Sequence, residues 1–246
     1  MKRFNTIISF IVFLLVWETL VGFRIVNTLF LPPPSTLLRT FIKNWDYLTL
    51  NTLITLRHAS LGYLIGVSIG VILGIITGWY KSLDASLGSL VNTFYNVPKF
   101  TFLPLFIIWL GLSEYPIILV STLSAFFPTY MNTNSGVKKI DKSFIEAVKN
   151  IGANDKDTLL KVVFPGSMPH ITSGMRLSIR MALIGSTTSE MLISHSGLGA
   201  VIWQSGALLR IDMMLLGPAI LGLIGFLLFK AFNCVEKKFL PWINMT

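Results

Sequence analysis

Three charged side chains interrupt residues 166–193, a segment otherwise composed of apolar and small residues: Arg176, Arg180 and Glu190. Charges inside a membrane helix are costly and are usually paired or functional. Arg176 and Arg180 are four residues apart and therefore share one face of a helix. Either they contact an anionic solute, or they reach the membrane surface and pair with headgroups or neighbouring side chains. Glu190 is a candidate to close a gate or to bond a partner helix.

Residues 146–165 form a charged stretch between long apolar ones. Good helix formers fill its first half, and Gly152 then predicts a break or a left-handed turn. A second, amphipathic piece follows, and Pro165 is expected to end it because proline cannot continue a helix without losing a hydrogen bond. A helix–turn–helix of this polarity cannot lie in lipid. It is expected at the membrane surface, exposed to a soluble partner.

The sequence carries no pattern typical of catalysis or metal binding. It has three histidines and one cysteine, Cys234, without the spacing of a metal site. It also has no His-Glu-x-x-His helix, no Gly-x-Ser-x-Gly elbow and no glycine loop for nucleotide phosphates. We therefore expect no enzyme activity, no metal and no cofactor in this chain.

The composition indicates an integral membrane protein. Of 246 residues, 53% are hydrophobic and 13% are charged, whereas soluble domains are about one quarter charged. The predicted fold class is all-α, a polytopic membrane protein with about six transmembrane helices and a cytoplasmic helical loop. The six predicted spans are residues 7–21, 51–80, 83–112, 115–130, 166–193 and 213–234.

The second predicted span carries a glycine at every fourth position, and such residues form one smooth stripe along a helix. In lipid, a stripe of small residues allows the backbones of two helices to approach closely. We therefore expect these residues to pack helices together rather than to do chemistry: Gly62, Gly66, Gly70, Gly74 and Gly78.

The third predicted span is more polar and is interrupted by Pro98, Lys99 and Pro104. A broken, polar helix is tolerated at membrane depth only where it faces protein or a water-filled cavity. This span is therefore a candidate wall of a translocation pathway, with a helix kinked only for packing as the alternative.

Lysines concentrate around the charged stretch, which indicates by the positive-inside rule that this loop is cytoplasmic. Lys2 and Arg3 at one end and Lys237 and Lys238 at the other place both termini on the same side. The lysines of the loop are Lys138, Lys139, Lys142, Lys149, Lys156 and Lys161.

Two residues on the opposite side carry smaller predictions. Ser35, after the prolines at 32–34, is expected to cap a short amphipathic helix. His58 is expected to be a surface residue, with proton sensing as the alternative.

The charged stretch resembles the coupling loop of ATP-binding-cassette importer permeases, in which a Glu-Ala-Ala triplet is followed by Gly and later by Pro. Glu146, Ala147, Gly152 and Pro165 match that spacing, whereas Val148 replaces the third alanine. Phe164 stands where leucine is usual before the proline.

The wider resemblance, from about residue 17 to residue 242, is to the nitrate, sulfonate and taurine branch. It includes residues 103–112 and 197–199, Gly174 to Leu177, and Glu190 with Met191. Arg180 departs from it, because the family usually has a small residue there. Since Arg176 matches across the family, it cannot set the substrate, which favours pairing as its role.

The resemblance implies that residues 1–246 form one permease domain, with a coupling loop at about 138–166. The implied partners are a second copy of the chain, two ATPase subunits that bind the ATP, an external substrate-binding protein and membrane lipid, but no nucleic acid. The implied ATPase-coupling residues are Glu146, Ala147, Gly152, Ala153 and Pro165. The implied path residues are Met175, Arg176, Arg180 and Glu190.

The resemblance further implies import of a small anionic solute of the sulfonate, taurine or nitrate class. The same kind of importer for bicarbonate, a vitamin or a vitamin precursor is the alternative within transport. A passive channel is the alternative of another class, although a channel needs no coupling loop.

Overall fold

A computed structural model describes residues 2–239, without the side chains of residues 2–7, 10 and 239. This part of the chain is helical almost throughout and contains no β-strand. Short segments of wider or tighter helix lie at Asp84–Gly88, Lys99–Phe102 and Leu159–Val163. The α-helices are α1 Lys2–Gly22, α2 Pro34–Lys43, α3 Trp45–Trp79, α4 Lys81–Leu83, α5 Ser89–Tyr95, α6 Leu103–Leu110, α7 Tyr115–Lys138, α8 Lys142–Asn150, α9 Asp155–Thr158, α10 Phe164–Ile193, α11 Leu198–Ala207 and α12 Ile211–Phe239.

Two of these helices, Trp45–Trp79 and Ile211–Lys238, are long and apolar enough to cross a membrane within the described residues. A third crossing is possible if Lys81–Tyr95 and Lys99–Leu110 together form one span, although they meet at a bend of 98°. The third predicted span is therefore broken beside Pro98, whereas Pro104 does not break it and lies in the first turn of α6. The structure thus supports a helical membrane protein, while the number of six spans stays a prediction.

The chain divides into two compact units. The first contains residues 1–55 and 190–223, and the second contains residues 56–189 and 224–246. The core of the first unit brings α2 and the start of α3 together with α11 and α12. Its buried members are Leu48, Val201, Met213 and Leu216.

The second unit is built on the contact between α3 and α7. A Cβ added to Gly70 would lie 2.9 Å from the Cβ of Thr129, and one added to Gly74 would lie 2.7 Å from the Cβ of Thr133. The same holds for the other glycines of the stripe, Gly62, Gly66 and Gly78, each of which faces α7. The stripe lets the two backbones approach more closely than side chains would allow.

Hydroxyl groups also hold α10 against α7. The Oγ of Ser178 donates to the carbonyl of Ala125 at 2.7 Å and also bonds the Oγ1 of Thr129 at 2.7 Å. Ser121 donates to the carbonyl of Ala182 at 3.1 Å. Because hydrocarbon offers no competing partners, such buried hydroxyls act as specific contacts between membrane helices.

The expectation that Ser35 caps α2 is wrong. Pro33 occupies the N-cap position and Pro34 begins the helix, where its fixed φ suits the first turn. Ser35 instead donates through its backbone N–H and its hydroxyl to the carboxylate of Glu18, at 3.1 and 2.7 Å. The serine therefore joins α1 to α2.

Candidate coupling segment and translocation pathway

The charged stretch begins with the capped helix α8. The carboxylate of Asp141 accepts the backbone N–H of Ser143 at 2.9 Å, and this bond holds the pKa of Asp141 below its ordinary value. A negative N-cap also suits the positive end of the helix dipole. Glu146 and Ala147 lie on α8 and are exposed.

Gly152 closes α8 with a left-handed turn, as predicted, at φ +90°. Its N–H donates to the carbonyl of Lys149 at 2.9 Å, while the N–H of Ala153 donates to the carbonyl of Val148 at 3.1 Å. This pair of bonds is the Schellman arrangement, which satisfies the last carbonyls of a helix. The backbone therefore fixes the direction in which the chain leaves α8.

The second half of the stretch starts at Asn154, whose side chain accepts the N–H of Asp157 at 2.8 Å. An ion pair between Lys149 and Asp155, 2.8 Å long, bridges the turn. Lys161 lies 2.7 Å from Asp157 and holds the pKa of that carboxyl below its ordinary value. Local contacts thus fix both sides of the turn.

Pro165 does not end this half, and the expectation that it does so is wrong. The chain stays helical from α9 through Leu159–Val163 and into α10, and Pro165 is the second residue of α10. The wider helical segment Leu159–Val163 lies just before Pro165, and local widening of this kind accommodates a proline inside a continuous helix. The coupling segment, residues 141–163, therefore continues into a long membrane helix.

Three large apolar side chains of the coupling segment are exposed: Phe144, Ile151 and Leu160. Ile151, beside the glycine turn, is 83% exposed. In contrast, Thr158 and Val163 are fully buried and anchor the segment to the second unit. Apolar side chains among exposed charges are typical of a docking surface for another protein.

The broken third span, residues 81–110, is called the broken segment below. A hollow of about 290 Å³ lies beside its break. The residues around Pro98 form one wall, α7 supplies residues around Phe127, and α10 contributes a third side. The α10 residues that face it are Met181, Ile184, Gly185 and Thr188. Sequence reasoning named the broken segment as a pathway wall but missed this face of α10.

The two arginines of α10 do not line this hollow. Arg176 forms an ion pair with Glu236 of α12, and its guanidinium lies 5.8 Å from the ring centre of Phe229. Arg180 is exposed and lies over the same ring at 5.3 Å. Met175 is half-buried. The pairing of Arg176 with Glu236 could not be identified from the sequence, because the two residues are 60 positions apart.

Glu190 is fully buried and receives hydrogen bonds from two directions. The hydroxyl of Thr55 donates to its Oε2 at 2.7 Å, and the N–H of Gly199 donates to the same oxygen at 3.1 Å. Thr55 in turn accepts the N–H of Leu198 at 2.8 Å. This network, the Glu190 clasp, ties α3 and α10 to the start of α11.

His58 is 2% exposed, so the expectation of a surface position is wrong. Its Nε2 lies 3.6 Å from the carboxylate of Glu114, which also pairs with Arg57. These contacts join α3 to the residue that precedes α7. Thr55 and His58 are three residues apart, so the buried face of α3 continues past the glycine stripe.

Several known proteins are similar to this chain over most of its length. A Bacillus subtilis permease, SsuC, provisionally named for aliphatic sulfonates transport, is 30% identical over 236 residues, 95% of this chain and 85% of its own. The taurine transport system permease protein TauC of Escherichia coli is 28% identical over 94% of this chain and 86% of its own length. The formylaminopyrimidine transport permease protein ThiX of Halalkalibacterium halodurans is 25% identical over 95% of this chain and 93% of its own length.

Among solved structures, the MetNI methionine ABC transporter in an inward-facing conformation contains a chain of the same fold. The TM-score is 0.60 at 19% identity, over 79% of this chain and 93% of that one. The model of the family described as binding-protein-dependent transport system inner membrane component matches residues 66–239. This chain therefore belongs to that family and is a membrane-embedded permease subunit of an ABC importer.

Proposed function

We propose that two copies of this chain form the path by which a small organic anion of the sulfonate or taurine class is imported. An external binding protein delivers the solute, and two separate ATPase subunits bind and hydrolyse ATP. The relatives named for aliphatic sulfonates and taurine support the solute class. The nitrate class, implied by the same branch of the family, is a smaller oxyanion with the same charge.

The coupling segment carries the proposal. Its turn is fixed by two backbone bonds at Gly152 and Ala153, and Ile151 stands exposed at the tip. A rigid segment of this kind docks without a large loss of conformational entropy, because its backbone is already ordered. We infer that Glu146, Ala147, Gly152 and Ala153 dock against an ATPase subunit, and that movement of that subunit reaches α10 through the continuous helix beyond Pro165.

Six membrane crossings with both termini in the cytoplasm form part of the proposal. Besides α3, α12 and the broken segment, the crossings are α1, α7 and α10. The lysines of the coupling segment and Lys237 and Lys238 support this orientation by the positive-inside rule. Lys2 and Arg3 indicate the same orientation, and their side chains lie outside the described part.

The path itself is proposed to run along α10. Met175, Arg176 and Arg180 stay candidates on this helix, and Glu190 stays a candidate near its end. The contacts of Arg176 with Glu236 favour a structural pair that could separate when α10 and α12 move. The depth of Glu190 in its hydrogen-bond network favours a structural role over a gate.

Reconstitution tests this function. We expect the permease, purified with its ATPase subunits into liposomes, to accumulate labelled ethanesulfonate only when ATP and the binding protein are both present. Equilibration of the solute without ATP would instead indicate a channel. Accumulation of a formylaminopyrimidine that ethanesulfonate does not compete with would favour the vitamin-precursor alternative, for which the similarity to ThiX is the supporting observation.

A further inference from the structure

The hollow beside the broken segment carries one cationic side chain among its lining residues, that of Lys99. The remainder of the lining is largely apolar, with a few neutral polar groups such as Asn96, Ser124 and Thr188. The ammonium of lysine is a compact charge that water hydrates strongly, so its transfer into a mainly apolar hollow costs free energy. The position therefore requires a reason beyond filling space.

Backbone carbonyls hold the ammonium at the end of α5. The Nζ of Lys99 donates to the carbonyls of Phe94 at 3.1 Å, Tyr95 at 2.5 Å and Val97 at 2.7 Å. The same Nζ lies 4.2 Å from the ring centre of Phe127. The carbonyls at a helix C-terminus carry partial negative charge and suit a cation.

These contacts leave the net charge of Lys99 in place. Carbonyls and an aromatic ring supply partial charges only, and no ion pair of the described residues includes Lys99. Asp84, at the other end of the broken segment, is by contrast paired with Lys138 at 2.6 Å. A half-buried cation without a carboxylate gives the hollow a positive potential.

We propose that Lys99 is the specificity-determining cation of the translocation path and that it binds the oxyanion group of the passing solute in this hollow. The inference rests on the proposed function and deepens it by assigning the solute-binding charge. A sulfonate oxygen would replace one of the three carbonyls as acceptor, so the ammonium keeps three hydrogen bonds throughout. The apolar lining then suits the short aliphatic part of the solute.

The charge of the hollow can be measured without any solute. Ser124→Cys introduces a thiol into the lining, and Cys234→Ser removes the native one. The purified permease is then treated with sulfonatoethyl methanethiosulfonate, which is an anion, and with trimethylammonioethyl methanethiosulfonate, which is a cation. Because one unit charge acts on the two reagents with opposite sign, Lys99→Met should lower the anion-to-cation rate ratio about three- to ten-fold.

Two further variants separate charge from structure in the same assay. Lys99→Arg keeps the charge and should retain the ratio, and Lys81→Met removes an exposed cation from the same broken segment and should leave it unchanged. If Lys99 only capped α5, its replacement would change both rates together by altering access. An unchanged ratio in Lys99→Met would therefore overturn the proposal.

Uptake by the reconstituted transporter then tests the path. Lys99→Met should lower ATP-dependent ethanesulfonate import about ten-fold or more in a protein whose thermal unfolding midpoint stays near the parental value, while Lys99→Arg keeps at least about a third of the rate. Parental import by Lys99→Met would overturn the proposal. A parent that imports no ethanesulfonate, while Lys99→Met still lowers the anion-to-cation rate ratio, would mean that the solute class proposed above is wrong. The assignment of Lys99 as the anion-binding charge of the hollow would then stand.

Discussion

The coupling segment and the Glu190 clasp place charged residues under opposite conditions. In the coupling segment, the charges are exposed, and the hydrogen bonds and ion pairs that fix the turn join near neighbours in the chain, as between Lys149 and Asp155. In the clasp, the carboxylate of Glu190 is fully buried and meets Thr55, which is 135 residues away in the chain. Water solvates the first set, whereas the buried carboxylate of the second depends on partners within the protein, among them Thr55 and Gly199.

This difference separates two kinds of consequence. A change in the coupling segment alters a local shape that water can still solvate, so it should affect docking more than folding. A change in the clasp leaves buried donors without acceptors, so it should affect folding first. The predictions below test that separation, from the largest expected loss of stability to the smallest.

Glu190→Ala should lower stability most. It removes the acceptor of the Thr55 hydroxyl and the Gly199 N–H, and each unsatisfied buried group costs about 1–3 kcal/mol. We expect a loss of about 2–5 kcal/mol, measured as a large fall in the thermal unfolding midpoint in detergent. The unfolding midpoint of Glu190→Gln should fall less, because glutamine keeps an acceptor. Equal midpoints for Glu190→Ala and the parent would mean that the clasp is not stabilising.

Gly70→Leu should come second, because it forces α3 away from α7 where an added Cβ would already lie 2.9 Å from Thr129. Overpacking of this kind costs about 1–3 kcal/mol or more. Gly222→Leu is a matched control, since an added Cβ there meets nothing within 4 Å. A similar fall in the unfolding midpoint for both variants would show that the loss comes from the leucine itself and not from the stripe.

The sequence could predict those features whose cause is local. Gly152 is left-handed because few other residues tolerate that backbone, and its place after a run of helix formers indicates a helix end. The four-residue spacing of glycines indicates a smooth helix face in the same way. The membership in a permease family is confirmed by the match over residues 66–239.

The sequence could not predict contacts between distant residues. Ser35 has the composition of a helix cap, but the carboxylate of Glu18 competes for its donors. His58 looked like a surface residue because the position of Glu114 was unknown, and Arg176 gave no sign of its pairing with Glu236. Lys99 was visible only as a break in a helix, because its place in the hollow depends on how α7 and α10 pack.

Gly152→Val should leave stability nearly unchanged and remove function. No atom lies within 4 Å of an added Cβ, so the effect comes from φ alone, and the exposed turn can relieve that strain by changing its conformation without disturbing the packed helices. We expect a changed turn, with loss of ATPase co-purification and of ATP-dependent uptake in a protein of parental unfolding midpoint. Gly152→Asn, which tolerates the left-handed region, should retain both.

That result would be contradicted if Gly152→Val still co-purified with the ATPase and supported parental uptake. The turn would then be dispensable for docking, and the coupling role of Glu146 and Ala147 would need another geometric basis. A large fall in the unfolding midpoint would also contradict the comparison, since it would show that the coupling segment contributes to the fold.

The smallest expected effect is the pH dependence of the Asp141 cap. The Ser143 N–H holds the pKa of Asp141 below its ordinary value of about 3.9, so the ionised cap stabilises α8 above that value. This contribution is lost as the pH falls through the lowered pKa, and the backbone amides of residues 143–145 should then lose protection, with exchange that accelerates towards the intrinsic rate at that pH. Asp141→Asn keeps a capping acceptor that does not titrate, so its exchange should lack this step. An equal acceleration in both proteins would assign the acid sensitivity of α8 to other carboxylates of the segment, such as Glu146.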